Sequence, residues 1–397
     1  MNQVEIPRGL TTSGTAIFLP FRSCEVFQPG GLYYGVNTQT KHIILADRKT
    51  LKCPNGIVLG TPGSGKSFFA KREMANAFFA TNDHILILDP ENEYTALTEQ
   101  LHGQTIYLAP DSHSYLNPMD LDLSTDVGES PMLMQADFLL SQCELMMASY
   151  GNPLMPIEKS LIDRCISLVY RDYLKNPRPE NMPVLGDLYQ CLREQHNSRA
   201  DDLATAMEIY VTGSLSYLNH RTNVDLNNRM VCYNTSKLGQ GLKKLVMSNV
   251  QKHIWQRTAV NRYAGITTRI FLDEFHLLLK EPQTAAYTAE IYKRFRKWNG
   301  IPTSLTQNVK DLLDSSEIEN ILENSDFVLM LNQGASDRNI LAQRLGISPQ
   351  ELSHVTNSSE GEGLLFFGDK IIPFEDKFPR DTQLYRVMTT KPSDLAA

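Results

Sequence analysis

Three things are scarce or missing in this sequence, and each absence removes a class of protein. The six cysteines (Cys24, Cys53, Cys143, Cys165, Cys191, Cys232) are scattered with no C-x-x-C pair, which argues against a zinc site or a disulfide framework. A reducing, cytoplasmic setting is the simplest expectation. No uninterrupted apolar run approaches the roughly 20 residues that a membrane span needs, and the start, "MNQVEIPRGLTTSG", lacks a basic-then-apolar signal. Membrane association is therefore expected only through partners or a further segment. Positive charge is not in excess either: the formal net charge of −7 argues against a protein held to nucleic acid by bulk charge, while leaving room for a local basic channel.

What is present is ordinary in amount, so the order of the residues carries the information. The 397 residues are 42% hydrophobic and 21% charged, enough for a large core and for two or three structural units, without a repeat or a low-complexity run. Residues Gly31 to Arg48 read as two short strands around an Asn-Thr-Gln-Thr turn. The apolar "NGIVLG" then runs into a glycine-rich loop. After it, "KSFFAKREMANAFFA" has helical spacing of Phe68, Phe69, Met74, Ala75, Phe78 and Phe79, and "HILILDP" reads as a buried strand closed by Pro90. Strand, loop, helix, strand is the start of an α/β unit with a parallel sheet.

From about Asp126 to His220 the pattern changes to long amphipathic stretches, predicting an all-helical insertion with a loop at Asn176 to Pro183. Strand signals return at "RMVCYNT", "TRIFLDE", "IPTSLTQ" and "DFVLMLNQ", where the sheet resumes, and "GLLFFGDKIIPFED" reads as a hairpin turning at Gly368-Asp369. The expected division is residues 1–50 as strands leading into the core, 51–125 as its first part, 126–222 as the insertion, 223–388 as its second part and 389–397 as a frayed tail.

The glycine-rich loop is Gly60-Thr61-Pro62-Gly63-Ser64-Gly65-Lys66-Ser67, a match to G-x-x-x-x-G-K-[ST], with Phe68 directly after it. Its glycines let successive N–H groups point at phosphate oxygens. Lys66 is placed to reach the β- and γ-phosphates, and the Ser67 hydroxyl to ligate Mg²⁺. The position between a predicted strand and a predicted helix is the context this motif requires, so ATP and Mg²⁺ are the expected cofactors.

Hydrolysis needs a second carboxylate element, and "TRIFLDEFHLLL" supplies one. A short apolar strand leads into Asp273, expected to hold Mg²⁺ through its water shell, and Glu274, expected to polarise the attacking water. Gln307, ending the "TSLTQ" strand, is expected to sense the γ-phosphate or orient the water, the alternative being a strand-end amide that satisfies a turn. Asp89, Glu91 and Glu93 follow a buried strand on the phosphate side, although Asp89 equally suits the start of a turn before Pro90. His276 reads as a packed or capping histidine. The basic run "YKRFRKWNG" holds Lys293, Arg294, Arg296 and Lys297; beside the reading of a solvated helix face stands that of Arg294 or Arg296 as an arginine finger reaching a neighbouring subunit's nucleotide. Arg338 and Arg344 are weaker candidates for that role.

The strings "GTPGSGKSFFAKREM", "ILILDPENEY", "NHRTNVDLNNRMVCYN", "FLDEFHLLL", "KRFRKWNGIPTSLTQNV" and "GEGLLFFG", in this order, resemble the C-terminal ATPase domain of the large VirB-type ATPase (the fourth VirB component) of type IV secretion and conjugation machines, in versions from conjugative elements of Gram-positive bacteria. The resemblance runs from about Gly31 to Phe374. It implies a RecA-like core with an all-helical insertion, and ATP hydrolysis coupled to channel assembly or substrate movement in an oligomer that is often hexameric. It implies work at the inner face of the cell membrane with other secretion components. Lys66 and Ser67 match the family's P-loop, Asp273 and Glu274 its Mg²⁺ and water-activating pair, Gln307 its glutamine motif, and Arg294 and Arg296 its basic motif. The family's N-terminal, channel-contacting domain has no counterpart here, so a fragment is expected. Two other readings stand beside this one. A DNA-pumping motor of the FtsK/HerA or coupling-protein kind would want a basic pore loop, for which Lys243 and Lys244 are the only obvious pair, on an expected solvated helix face. Glu274 and Gln307 speak against the other, a nucleotide-binding scaffold without turnover.

Overall fold

The computed structural model describes residue 11 and residues 24–123, 130–148, 154–279, 282–307, 321–391 and 394. Eleven strands form one sheet: β1 (Leu32–Asn37), β2 (Ile43–Ala46), β3 (Gly56–Leu59), β4 (His84–Asp89), β5 (Gln104–Tyr107), β6 (Met230–Asn234), β7 (Thr268–Leu272), β8 (Gly300–Thr306), β9 (Phe327–Met330), β10 (Glu362–Phe367) and β11 (Lys370–Glu375). Their order across the sheet is β2-β1-β11-β10-β9-β3-β8-β7-β4-β6-β5. From β9 to β5 the pairings are parallel. The remaining strands pair antiparallel, so the C-terminal hairpin β10–β11 stitches the N-terminal hairpin β1–β2 onto the edge of the parallel region. The sheet is mostly parallel, as expected, and the hairpin turning at Gly368-Asp369 is present.

The parallel strands read as continuous apolar runs because both of their faces are covered. In β3, β6, β7, β8 and β9 every residue is buried. Side chains alternate between two cores. Leu59, Leu86, Leu88, Ile270 and Leu272 face one; Val58, Ile85, Ile87 and Phe271 face the other. On the second face lies helix α1 (Lys66–Ala80), packing Phe69, Ala70, Met74 and Ala77. Helix α2 (Thr95–Gln100) and strand β5, neither assigned from the sequence, complete the edge after β4.

The first face carries the helices that stand between β5 and β6: α3 (Pro131–Ala148), α4 (Pro156–Val169), α5 (Arg171–Lys175), α6 (Leu185–Arg193) and α7 (Ser198–Val211). Their apolar residues join those of the sheet in one continuous cluster, together with α8 (Gln240–Tyr263) and Tyr292 of α9 (Pro282–Arg294). The expected loop at Asn176 to Pro183 contains one turn of 3-10 helix at Pro179–Asn181. Helix α10 (Ala335–Leu345) follows β9.

The frayed tail expected from residue 389 is a correction. A last helix, α11 (Gln383–Met388), docks on α1 through Lys71, whose Nζ donates to Met388 O at 3.0 Å, and Thr389 is buried behind it. Only beyond that helix do residues 392, 393 and 395–397 lie outside the described residues.

At the end of the sheet where β3, β7 and β8 begin, a buried ionic cluster ties three chain segments together. Glu73 Oε1 of α1 accepts from Arg48 Nη1 at 2.9 Å and from Arg269 Nη1 of β7 at 3.0 Å, while Arg269 Nε donates to Asp83 Oδ2 at 2.9 Å. Arg48 also donates to Thr303 of β8 at 2.8 Å. The opposite end of the sheet, where the parallel strands finish, is left free for loops.

Candidate functional site

In a parallel α/β sheet, ligands sit beyond the carboxyl ends of the strands. Here those ends gather a cleft of about 550 Å³, lined by Lys66 and Ser67 after β3, Glu91 and Glu93 after β4, Asp273 and Glu274 after β7, and Gln307 after β8.

The loop from Gly60 to Ser67 turns the chain from β3 into α1, and its geometry explains its glycines. Gly65 has φ +101° at the cap of α1, a conformation that side-chain-bearing residues rarely adopt. A Cβ on Gly60 would stand 2.4 Å from Ser64 Oγ. The loop is anchored just beyond β9, where Asn332 O accepts from Thr61 N at 2.9 Å. Lys66 Nζ donates to Gly60 O at 2.8 Å and to Thr61 O at 3.1 Å. Burial lowers the Lys66 pKa, and the nearby charges of Glu274, Asp273 and Glu93 oppose that shift.

Asp273 is 5% exposed, and its pKa is pushed up to about 7, first by burial and then by the charge of Glu93. A carboxyl so placed gains from a cation. Glu274 has φ +43°, the left-handed region, a strain of order 1–3 kcal/mol in a residue that is not glycine. Strain of this kind persists where the surroundings over-determine a side chain. Gln307 Nε2 donates to Glu274 Oε1 at 2.8 Å, and His276 Nδ1 stands 3.1 Å from Oε2. Burial alone would raise the Glu274 pKa, but His276, Lys66 and Gln307 together hold it below the usual carboxylate value.

The expected residues divide into groups. The structure brings the loop, Asp273, Glu274 and Gln307 together, and it draws His276, expected as a packed or capping residue, onto the glutamate. Asp89 is fully buried and accepts from the backbone N–H of Glu93 and Tyr94, each at 2.9 Å, which is the turn reading of that residue. Glu93 keeps one buried carboxylate oxygen without a hydrogen-bond partner. Arg294 and Arg296 are not in this cleft. They precede β8 and so lie at the far end of the sheet, Arg294 paired with Glu290 at 3.1 Å and Arg296 donating to Cys53 Sγ at 3.2 Å. Arg338 and Arg344 are on α10, which starts from the carboxyl end of β9.

Six residues in the cleft, Leu277 and Glu360 among them, were not read as site residues. Lys243, at the start of α8, is half-buried and lines it, whereas Lys244 is exposed. Thr389, Thr390 and Lys391 cross its mouth, and Lys391 pairs with Glu360. Among the described residues no group of three or more His, Cys, Asp and Glu is arranged to hold a metal by itself, and no helix is long and apolar enough to cross a membrane.

Comparison with known proteins adds the following. The model of the TraG P-loop domain family matches residues 44–360. The solved structure of VirB4 of Thermoanaerobacter pseudethanolicus is similar with a TM-score of 0.79 at 22% identity, over 94% of this chain and 100% of that one. The plasmid coupling protein TrwB in complex with ADP and Mg²⁺ is similar with a TM-score of 0.57 at 13% identity, over 94% of this chain and 95% of that one. At these identities the likeness is one of fold. No curated protein matches the chain.

Proposed function

Because the chain belongs to the TraG P-loop domain family, we propose that it is an ATP-hydrolysing motor of a type IV secretion or conjugative-transfer machine, coupling hydrolysis to channel assembly or substrate movement. The observation that carries this reading is the meeting of Glu274 and Gln307 in the cleft that Lys66 lines. A phosphate cradle alone would serve a binding switch; a strained carboxylate held by an amide beside that cradle suits the activation of water.

In this reading Lys66 exchanges the carbonyls of Gly60 and Thr61 for the β- and γ-phosphate oxygens, and the backbone N–H groups of the loop hold the rest of the phosphate chain. Glu274 takes the proton of the attacking water, and Gln307 orients that water and the carboxylate together. Ser67 and Asp273 would hold Mg²⁺: a hydroxyl and one buried carboxylate, crowded by Glu93, suit an ion that shares its ligands with phosphates and water. When bound, that ion neutralises charge developing on the phosphates. Arg294 or Arg296, each too far round the sheet for its own cleft, would act on the nucleotide of a neighbouring subunit. The partners would be other secretion components and further copies of this chain, at the inner face of the cell membrane.

The test is steady-state ATP hydrolysis against protein concentration, with light scattering in parallel and with single- or double-stranded DNA added or left out. Turnover per subunit that rises with assembly and ignores DNA is the expected result. Strong stimulation by DNA would replace this reading with a DNA motor, and ATP binding without turnover in any assembly state would replace it with a scaffold.

A further inference from the structure

Beside the phosphate cleft lies a second cavity, of about 390 Å³, that shares Gly65, Phe68 and Glu360 with it. We propose that this cavity is a purine slot that reads the face of the base and largely ignores its edge, so that the protein takes ATP and GTP with similar affinity. The inference rests on the nucleotide-binding reading above and adds to it which residues choose the base.

The argument starts from Phe68. It directly follows Ser67, so a nucleotide whose phosphates lie on the N–H groups of the loop must send its sugar and base out past this side chain. There the wall becomes aromatic. The Phe68 ring is 5.9 Å from that of Phe378 and 5.5 Å from that of Tyr385, and the Phe378 and Tyr385 rings lie within 22° of parallel at 6.5 Å. These separations fall in the range of stacking rings, and all three side chains line the cavity, which makes its wall suited to a planar ligand.

Phe378 is held from outside the slot. The Arg72 guanidinium stands 4.7 Å over its ring and 4.5 Å over that of Tyr33, and Arg72 Nη1 is tied to Asp376 at 2.6 Å. The charged groups around the slot are engaged with one another: Asp376 with Arg72, Glu360 with Lys391, and Lys377 with Glu375 at 2.8 Å. Arg380, the remaining charged group, is exposed. Among the described residues no Asn or Gln lines the slot, so the bidentate amide contact with adenine has no side chain there to make it. Ring area is left as the main discriminator, and it favours purines over pyrimidines.

The experiment is calorimetric binding of ATP, GTP, CTP and inorganic tripolyphosphate to the full chain carrying Glu274→Gln, the substitution expected to suppress turnover. ATP and GTP should bind within a few-fold of each other, with CTP and tripolyphosphate weaker by about tenfold or more, the scale of one lost base–aromatic stack. Phe378→Leu, which keeps an apolar group but removes the ring, should weaken ATP and GTP about tenfold and leave tripolyphosphate unchanged. Unchanged ATP affinity in Phe378→Leu, or a preference for ATP over GTP of a hundredfold, would overturn the slot while leaving the phosphate reading intact. Failure of both ATP and tripolyphosphate to bind the Glu274→Gln chain would overturn both.

Discussion

Gln307, at the end of β8, donates its amide to Glu274, at the end of the adjacent β7, across 2.8 Å. The two residues are 33 positions apart in sequence, and only the parallel pairing of their strands makes them neighbours. Glu274→Gln should keep ATP binding while turnover falls at least about a hundredfold, the scale of a lost general base. Gln307→Ala leaves the carboxylate but loosens it, so turnover should fall about tenfold to a hundredfold with the same nucleotide affinity. Binding and turnover measured together decide the matter: survival of turnover in Glu274→Gln would remove that residue from the role of base.

His276 supplies a pH test of the same carboxylate. It heads the influences that hold the Glu274 pKa down against burial, with Lys66 and Gln307 contributing from α1 and β8 while Asp273 adjoins it in sequence. A base works when deprotonated, so its activity is lost as pH falls through its pKa. His276→Ala should let that pKa rise, and the acid limb of the kcat/KM profile should move to higher pH with the plateau reduced only modestly. A lowered plateau with an unmoved acid limb would make His276 a packing residue, as the sequence alone suggested.

The parts legible in the sequence were those whose chemistry is local. The loop needs eight consecutive residues of particular types, and the Asp273-Glu274 pair needs only an apolar strand before it. The rest depends on pairings distant in the chain. Nothing near Val36 announces that its strand will pair with Glu375, more than three hundred residues later, and nothing near Thr389 announces the cleft that it crosses. Asp89 and Glu93 looked alike as carboxylates after a strand, yet two backbone N–H groups claim Asp89 and leave Glu93 in the cleft. The place of Arg296, by contrast, was readable. A residue just before a parallel strand stands at the amino end of that strand, away from a loop that follows its neighbour.

The ionic cluster at that amino end gives a stability test free of the chemistry. Glu73 is 2% exposed and accepts from both Arg48 and Arg269. Glu73→Gln keeps the shape but leaves two buried guanidinium groups short of negative charge, with Asp83 alone among the described carboxylates still paired to Arg269. Breaking a buried pair in this way costs about 3–5 kcal/mol, because the remaining charge is uncompensated. Denaturant unfolding at neutral pH should show a loss of this size, while ATP affinity of the folded protein stays the same. A loss below about 1 kcal/mol would mean that the cluster tolerates the missing charge.

Arg294 and Arg296 give the test of assembly. Each stands at the amino end of β8, the full length of the strand away from the loop of its own subunit, so neither can touch the phosphates that it would have to neutralise. An arginine supplied to a neighbour's nucleotide is worth about 10³–10⁵ in turnover where it acts as a finger. Dilute, monomeric protein should therefore hydrolyse ATP equally well with Arg294→Ala or Arg296→Ala as without. In concentrated, assembled protein one of the two substitutions should cancel the gain that assembly brings. The same loss in a strict monomer would assign the arginine to the packing around Trp255 or Cys53, and the finger would have to be sought on α10, where Arg338 and Arg344 lie beyond the carboxyl end of β9.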